Sequence, residues 1–167
     1  MKCFGLWTIL ALLALSGTAH GGGAATSPAW EKLKSLAGTW EGKESGTRPV
    51  AVSYRLVSNG SVLMETLQTP GAVEMITMYH PDGDSILATH YCAVGNQPRM
   101  RAASQTGDVG KLEFSYVDAS NLVNADAEVM RGLVVIFGDA DHFQQRWTLR
   151  RRDGKEETGV FEYSRKK

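Results

Sequence analysis

From Gly38 onward the chain is a train of short runs rich in β-branched and aromatic residues, each closed by a turn signal, and this pattern constrains the fold more than any other feature. The runs are Trp40 to Glu44, Val50 to Ser58, Val62 to Thr69, Val73 to His80, Ser85 to Val94, Arg99 to Ser104, Leu112 to Val117, Met130 to Phe137, His142 to Arg151 and Glu156 to Arg165. Period-2 alternation inside them predicts strands. Asn59-Gly60, Asp82-Gly83 and Asp153-Gly154 join neighbours as hairpin dipeptides, because both residues tolerate positive φ. About eight to ten strands in meander order follow. So many sequentially paired strands leave sheet edges open unless the sheet closes. The predicted fold is therefore all-β, an antiparallel up-and-down barrel, with Asp118 to Ala127 as a break holding a helical turn or a long loop.

Ahead of the strands, Ser27-Pro28 makes a helix start with proline in the first turn, and Trp30, Leu33 and Leu36-Ala37 recur at helical spacing. One short amphipathic helix is expected, ending at Gly38. Residues 20–27 are rich in Gly, Ala, Ser and Thr and read as a flexible leader. Before them, Lys2 and the apolar run Phe4 to Leu15 have the form of a secretory signal peptide, with small residues at Gly17 and Ala19 favouring cleavage after Ala19, and those at Gly23 and Ala25 offering a second position. The apolar run is shorter than the roughly 20 residues a membrane helix needs. The domain expected is 28–167, a single unit of ordinary size, secreted or periplasmic after cleavage of 1–19.

Charge narrows the partners. Loss of Lys2 lowers the basic count from 18 to 17 against 18 acidic residues, a balance that argues against nucleic acid. Cys3 leaves with the signal peptide, so Cys92 is alone and no internal disulfide can form. It is either buried and inert, or exposed and able to react, pair between chains or bind metal.

The chemistry-bearing residues concentrate between His90 and Arg101. Strand parity puts His90 and Cys92 on one face with Ile86, Ala88 and Val94, and Tyr91 on the other with Leu87 and Thr89. After the turn from Gly95 to Pro98, Arg99 and Arg101 share a face opposite Met100 and Ala102. If His90 turns inward with an arginine near it, the barrel presents a polar patch in an apolar cavity, suited to a small apolar ligand with an acidic or carbonyl group. Otherwise His90 is a hydrogen-bonded core histidine and the arginines are solvated. Asn96-Gln97-Pro98 shape the turn. In the run from His142, Phe143, Gln145, Trp147 and Leu149 form a mostly apolar face, and His142, Gln144, Arg146 and Thr148 a polar one. An inverted arrangement would add His142, Gln144 and Arg146 to the pocket.

A zinc reading would recruit His90, Cys92, His142 and His80, but no compact ligand spacing supports it. Haem ligation by His90 rests on a lone histidine. Asp82-Gly-Asp84 and Asp139-Ala-Asp141 do not continue into calcium loops and are explained by turns. No metal or cofactor is assigned. No nucleophile elbow, His-Glu-x-x-His or phosphate-binding glycine loop is present, and His90 and Cys92 run too parallel to guarantee a productive hydrogen bond. Arg150-Arg151-Arg152 and Arg165-Lys166-Lys167, flanked by Asp153, Glu156 and Glu157, read as solvated hairpin charges.

Gly38-Thr39-Trp40, after a short helix and opening the first strand, resembles the Gly-x-Trp entry of lipocalins and their calycin relatives. The resemblance implies that Trp40 closes one end of a barrel and packs against a basic residue from a late strand, Arg165 or Arg150. The wider pattern, with Thr-His-Tyr-Cys at 89–92, Gly-Asn-Gln-Pro-Arg-Met at 95–100 and Asp-His at 141–142 before Trp147, is similar to secreted bacterial lipocalin-like proteins of uncharacterised function. Some of these carry His-x-His where this chain reads Glu128-Val129-Met130-Arg131, which weakens a metal site. The function expected is binding of a small, mainly apolar ligand by His90, Tyr91, Cys92, Arg99 and Arg101, without assigned catalysis. The alternatives are an isomerase or cyclase with His90 as acid or base, and an envelope interaction module with a filled barrel.

Overall fold

The computed structural model describes residues 27–103 and 107–167; the expected signal peptide (1–19) and most of the expected leader lie outside them. One helix, α1 (Pro28–Lys34), precedes ten strands: β1 (Gly38–Glu44), β2 (Arg48–Val57), β3 (Val62–Gln68), β4 (Met75–Asp82), β5 (Ser85–Tyr91), β6 (Gln97–Ala103), β7 (Lys111–Ser120), β8 (Val129–Phe137), β9 (His142–Arg150) and β10 (Glu156–Arg165). Each strand pairs antiparallel with its sequence neighbours, and β10 returns to β1 to close the barrel. Closure satisfies every edge, which is why a meander of this length needs no covering layer.

The α1 helix starts where the sequence indicates: Ser27 caps it, its Oγ accepting from the Trp30 N–H at 3.1 Å, with Pro28 in the first turn. Ala29, Trp30 and Leu33 are buried, followed by Leu36. Of the three hairpin dipeptides, only Asn59-Gly60 places both residues at positive φ; at Asp82-Gly83 and Asp153-Gly154 the glycine alone does so. The break before β8 contains turns and bends rather than a helix, and β7 runs on to Ser120 before it begins. The β6 strand starts at Gln97, so Pro98 is a buried strand residue and not part of the turn.

Alternation fills the barrel from every wall: Val52 and Tyr54, Leu63 and Glu65, Thr77 and Tyr79, Ile86, Ala88 and His90, Met100 and Ala102, Leu112 and Phe114, Leu133 and Val135, and Phe143, Gln145 and Trp147 are all buried. The two ends differ. At the end carrying α1, the Trp40 indole donates to Leu36 O at 2.8 Å and meets Phe143 edge-on at 4.7 Å. Arg165, directly opposite Trp40 across the β1–β10 seam, holds its guanidinium 4.0 Å over the indole and donates to the carbonyls of Ser35, Ala37 and Ala140. Arg150 is at the other end, where it holds the β7–β8 loop through Ala125 O and Ala127 O. The helix end is covered by α1 and Trp40; the opposite end lies between the hairpin loops after β1, β3, β5, β7 and β9. Among the described residues no helix is long and apolar enough to cross a membrane.

Candidate functional site

Inside the barrel the register creates a row that alternation alone cannot reveal. Tyr54 on β2 lies opposite Glu65 on β3, Glu65 opposite Thr77 on β4, and Thr77 opposite His90 on β5. Directly opposed residues share a face and sit close enough to interact. Four polar side chains are therefore strung across four adjacent strands, all of them 3% exposed or less.

Glu65 is the centre of this row. Its Oε2 accepts from the phenols of Tyr54 at 2.8 Å and Tyr79 at 2.7 Å, and from the Gln145 amide, reaching over from β9, at 2.8 Å. The same amide donates to Tyr54 Oη at 2.9 Å. Oε1 takes only the Thr77 hydroxyl, at 3.4 Å. Burial pushes the carboxyl upward from its ordinary range, and the four donors pull it back down. Burial first, and then the nearness of Glu65, hold the Tyr54 and Tyr79 phenols well above their usual value.

His90 ends the row. Its Nδ1 lies 3.0 Å from Thr77 Oγ1, and its ring is 4.7 Å from that of Trp147. Nε2 is buried and has no partner. Burial pushes the imidazole down to about 4, so it is neutral at ordinary pH. His90 lines a cavity of about 270 Å³ at the open end, with Leu67, Met75, Met130, Trp147, Leu149 and Phe161 as its apolar wall. Its charged rim is Glu44, Arg151 and Glu157, and Arg151 is already paired with Glu157 at 2.8 Å and Glu128 at 3.3 Å.

The other residues singled out by sequence are kept apart from His90 by the barrel wall. Tyr91 is outward and exposed, Arg99 is paired with Asp118 at 2.6 Å, and Arg101 with Asp82 at 2.6 Å. The expected grouping of His90 with an arginine is thus not formed: Arg99 and Arg101 alternate with the inward Pro98, Met100 and Ala102, so the same parity that buries Met100 sends them to solvent. On β9 the apolar face turns inward as in an ordinary barrel. His142 binds Asp139 at 2.8 Å outside, and Gln144 and Arg146 bond each other at 2.7 Å on the outer surface. Cys92 is half-buried in the β5–β6 turn, and burial pushes its thiol up, away from the reactive thiolate. Asn96 in that turn is buried and donates to Glu128 O at 2.7 Å. Among the described residues no three His, Cys, Asp or Glu side chains come together as a metal site.

Sequence reasoning missed Glu65, Tyr54, Thr77 and Tyr79. The signal was there for Glu65: it shares parity with Leu63 and Leu67, so a carboxylate stood on the apolar face of its strand.

Comparison with known proteins gives likeness of shape only. No family model matches the chain, and no curated protein matches it significantly. Rv2717c from Mycobacterium tuberculosis superposes with a TM-score of 0.58 at 13% identity, covering 84% of this chain and 99% of that one. A protein of unknown function from the DUF3598 family, from Nostoc punctiforme, superposes with a TM-score of 0.57 at 13% identity over 80% of this chain, and this chain spans 48% of its length. The chain shares a closed-barrel fold with these proteins.

Proposed function

We propose that this protein is a secreted or periplasmic lipocalin-like carrier that holds one small, mainly apolar molecule in the open-end cavity, with the molecule's polar tip on His90 Nε2. The observation that carries the reading is His90: its ring lines a cavity whose wall is otherwise largely apolar, and its Nε2 is buried and unpartnered. A buried polar group left without a partner costs on the order of 1–3 kcal/mol, a cost that a bound molecule relieves. Binding sites of this type combine an apolar wall for affinity with a few fixed polar groups for orientation. The residues 1–19, with their basic start and apolar run, support export.

Native mass spectrometry of protein purified from its source is expected to show an additional small-molecule mass lost on His90→Ala substitution. A protein that carries no such mass and takes up no apolar probe would overturn the reading. One observation favours a second reading as an isomerase or cyclase: the chain from His90 through Thr77 to Glu65 has the form of a base oriented by further groups. Turnover abolished in a folded His90→Ala variant distinguishes it from the carrier. For an interaction module, Val73, Val94 and Val123 are exposed on three separate open-end loops, but that reading leaves the cavity without a use.

A further inference from the structure

The polar row determines which hydrogen-bonding character His90 shows to the cavity, and therefore what chemistry the ligand's buried tip must have. A neutral imidazole has one N–H and one bare nitrogen, and the partner of one nitrogen decides the state of the other. Here the partner of Nδ1 is the Thr77 hydroxyl, which can give its proton either to His90 or to Glu65. The donors around Glu65 break the tie. The Gln145 amide donates to both Glu65 Oε2 and Tyr54 Oη, so the Tyr54 proton is committed to Glu65, and the Tyr79 phenol donates to the same oxygen. On Oε2 every neighbour offers a proton, and these donors favour the carboxylate against the burial that raises it. Oε1 is left to the Thr77 hydroxyl, which donates to it. Thr77 Oγ1 then accepts from His90 Nδ1–H, and Nε2, unpartnered in a ring that lines the cavity, keeps its lone pair.

We propose that the ligand of this cavity is a neutral, flat, apolar molecule whose buried tip is a hydrogen-bond donor, a hydroxyl or an N–H, and that Thr77 and Glu65 are positioning residues that set this preference through the His90 tautomer. This inference rests on the carrier reading and replaces the acidic or carbonyl-bearing ligand that an inward arginine would have suited. Nothing on the cavity wall offers an acid its counter-charge: Arg151 is held by Glu157 and Glu128, and Glu44 is paired with Arg48. The rings of Trp147 and Phe161 border the space next to His90 and suit a planar body.

The test uses two probes of the same shape, indole, which has an N–H, and benzofuran, which does not, together with the ¹⁵N spectrum of His90. In the wild-type protein Nδ1 is expected to carry the proton and Nε2 to be bare, with indole bound about tenfold more tightly than benzofuran. Glu65→Gln keeps an oxygen for the three donors but turns an amide N–H toward Thr77. The relay then reverses, the proton moves to Nε2, and the preference for indole is lost or inverted. Thr77→Ser retains the wild-type pattern and Thr77→Val abolishes the discrimination, which keeps the inference testable if Glu65→Gln does not fold. A protonated Nε2 in the wild type, or equal binding of the two probes, would overturn the assignment. The expected nitrogen pattern with neither probe bound would instead overturn the carrier reading and the ligand class with it, leaving the tautomer standing.

Discussion

At the scale of single residues, His90 and Glu65 are two buried titratable groups that make opposite demands. Burial lowers the folded-state value of His90 from 6.5 to about 4, so the unfolded chain takes up a proton first as pH falls. The contribution is fully present above pH 6.5 and is lost as pH falls toward 4. At about 1.4 kcal/mol for each pH unit, it amounts to at most about 3.5 kcal/mol. Glu65 is raised instead, so its contribution is present at low pH and lost as pH rises through its folded value. Urea unfolding of the wild type and His90→Phe from pH 7 to pH 4 isolates the first effect. The variant is expected to lose less stability across that window, and a parallel pair of curves would contradict a buried neutral imidazole. Glu65 itself was legible from its parity with Leu63 and Leu67, but charge on a strand ordinarily signals the wet face. Its burial is tolerated only because four donors meet it, and those donors come from three other strands.

At the scale of elements, the seam between β1 and β10 makes the sheet a barrel, and Gly42 sits in it opposite Tyr163. A Cβ there would lie 1.9 Å from the Glu162 carbonyl oxygen, which is backbone and cannot swing aside. Gly42→Val is expected to break the seam, with loss of cooperative unfolding or several kcal/mol of stability by thermal denaturation. Val substituted at Gly60, whose surroundings are open, meets only the cost of its positive φ. The elements themselves were readable, since strand existence follows from period-2 alternation and turn dipeptides. Their ends shifted where a side chain acts against its local pattern: Pro98, expected in a turn, enters β6 near a register shift at Arg99/Met100. Cys92, expected to continue the His90 face, sits in the turn, its N–H bonded to Asn96 O.

For the whole molecule, α1 covers one end of the barrel, and the other end opens on the cavity that His90 lines. Met130→Trp, which adds bulk at the cavity wall, is expected to leave the fold intact and stability within about 1 kcal/mol, because it fills space instead of overpacking a tight core. Indole titration followed by NMR should show binding lost; undiminished binding would place the ligand elsewhere. The sequence by itself determined the all-β meander, its short capped helix, the need for closure, and which residues of β5 and β9 share a face, because these follow from local periodicity and turn chemistry. Only the tertiary structure decided that His90 faces inward while Arg99 and Arg101 face solvent, that Arg165 and not Arg150 covers Trp40, and that Tyr54, Glu65, Thr77 and His90 form one row. Alternation has a period of two and assigns a face, but it carries no information on which residue of the next strand stands opposite. That register is set by loop geometry and by the fit of ten strands closing on a shared core.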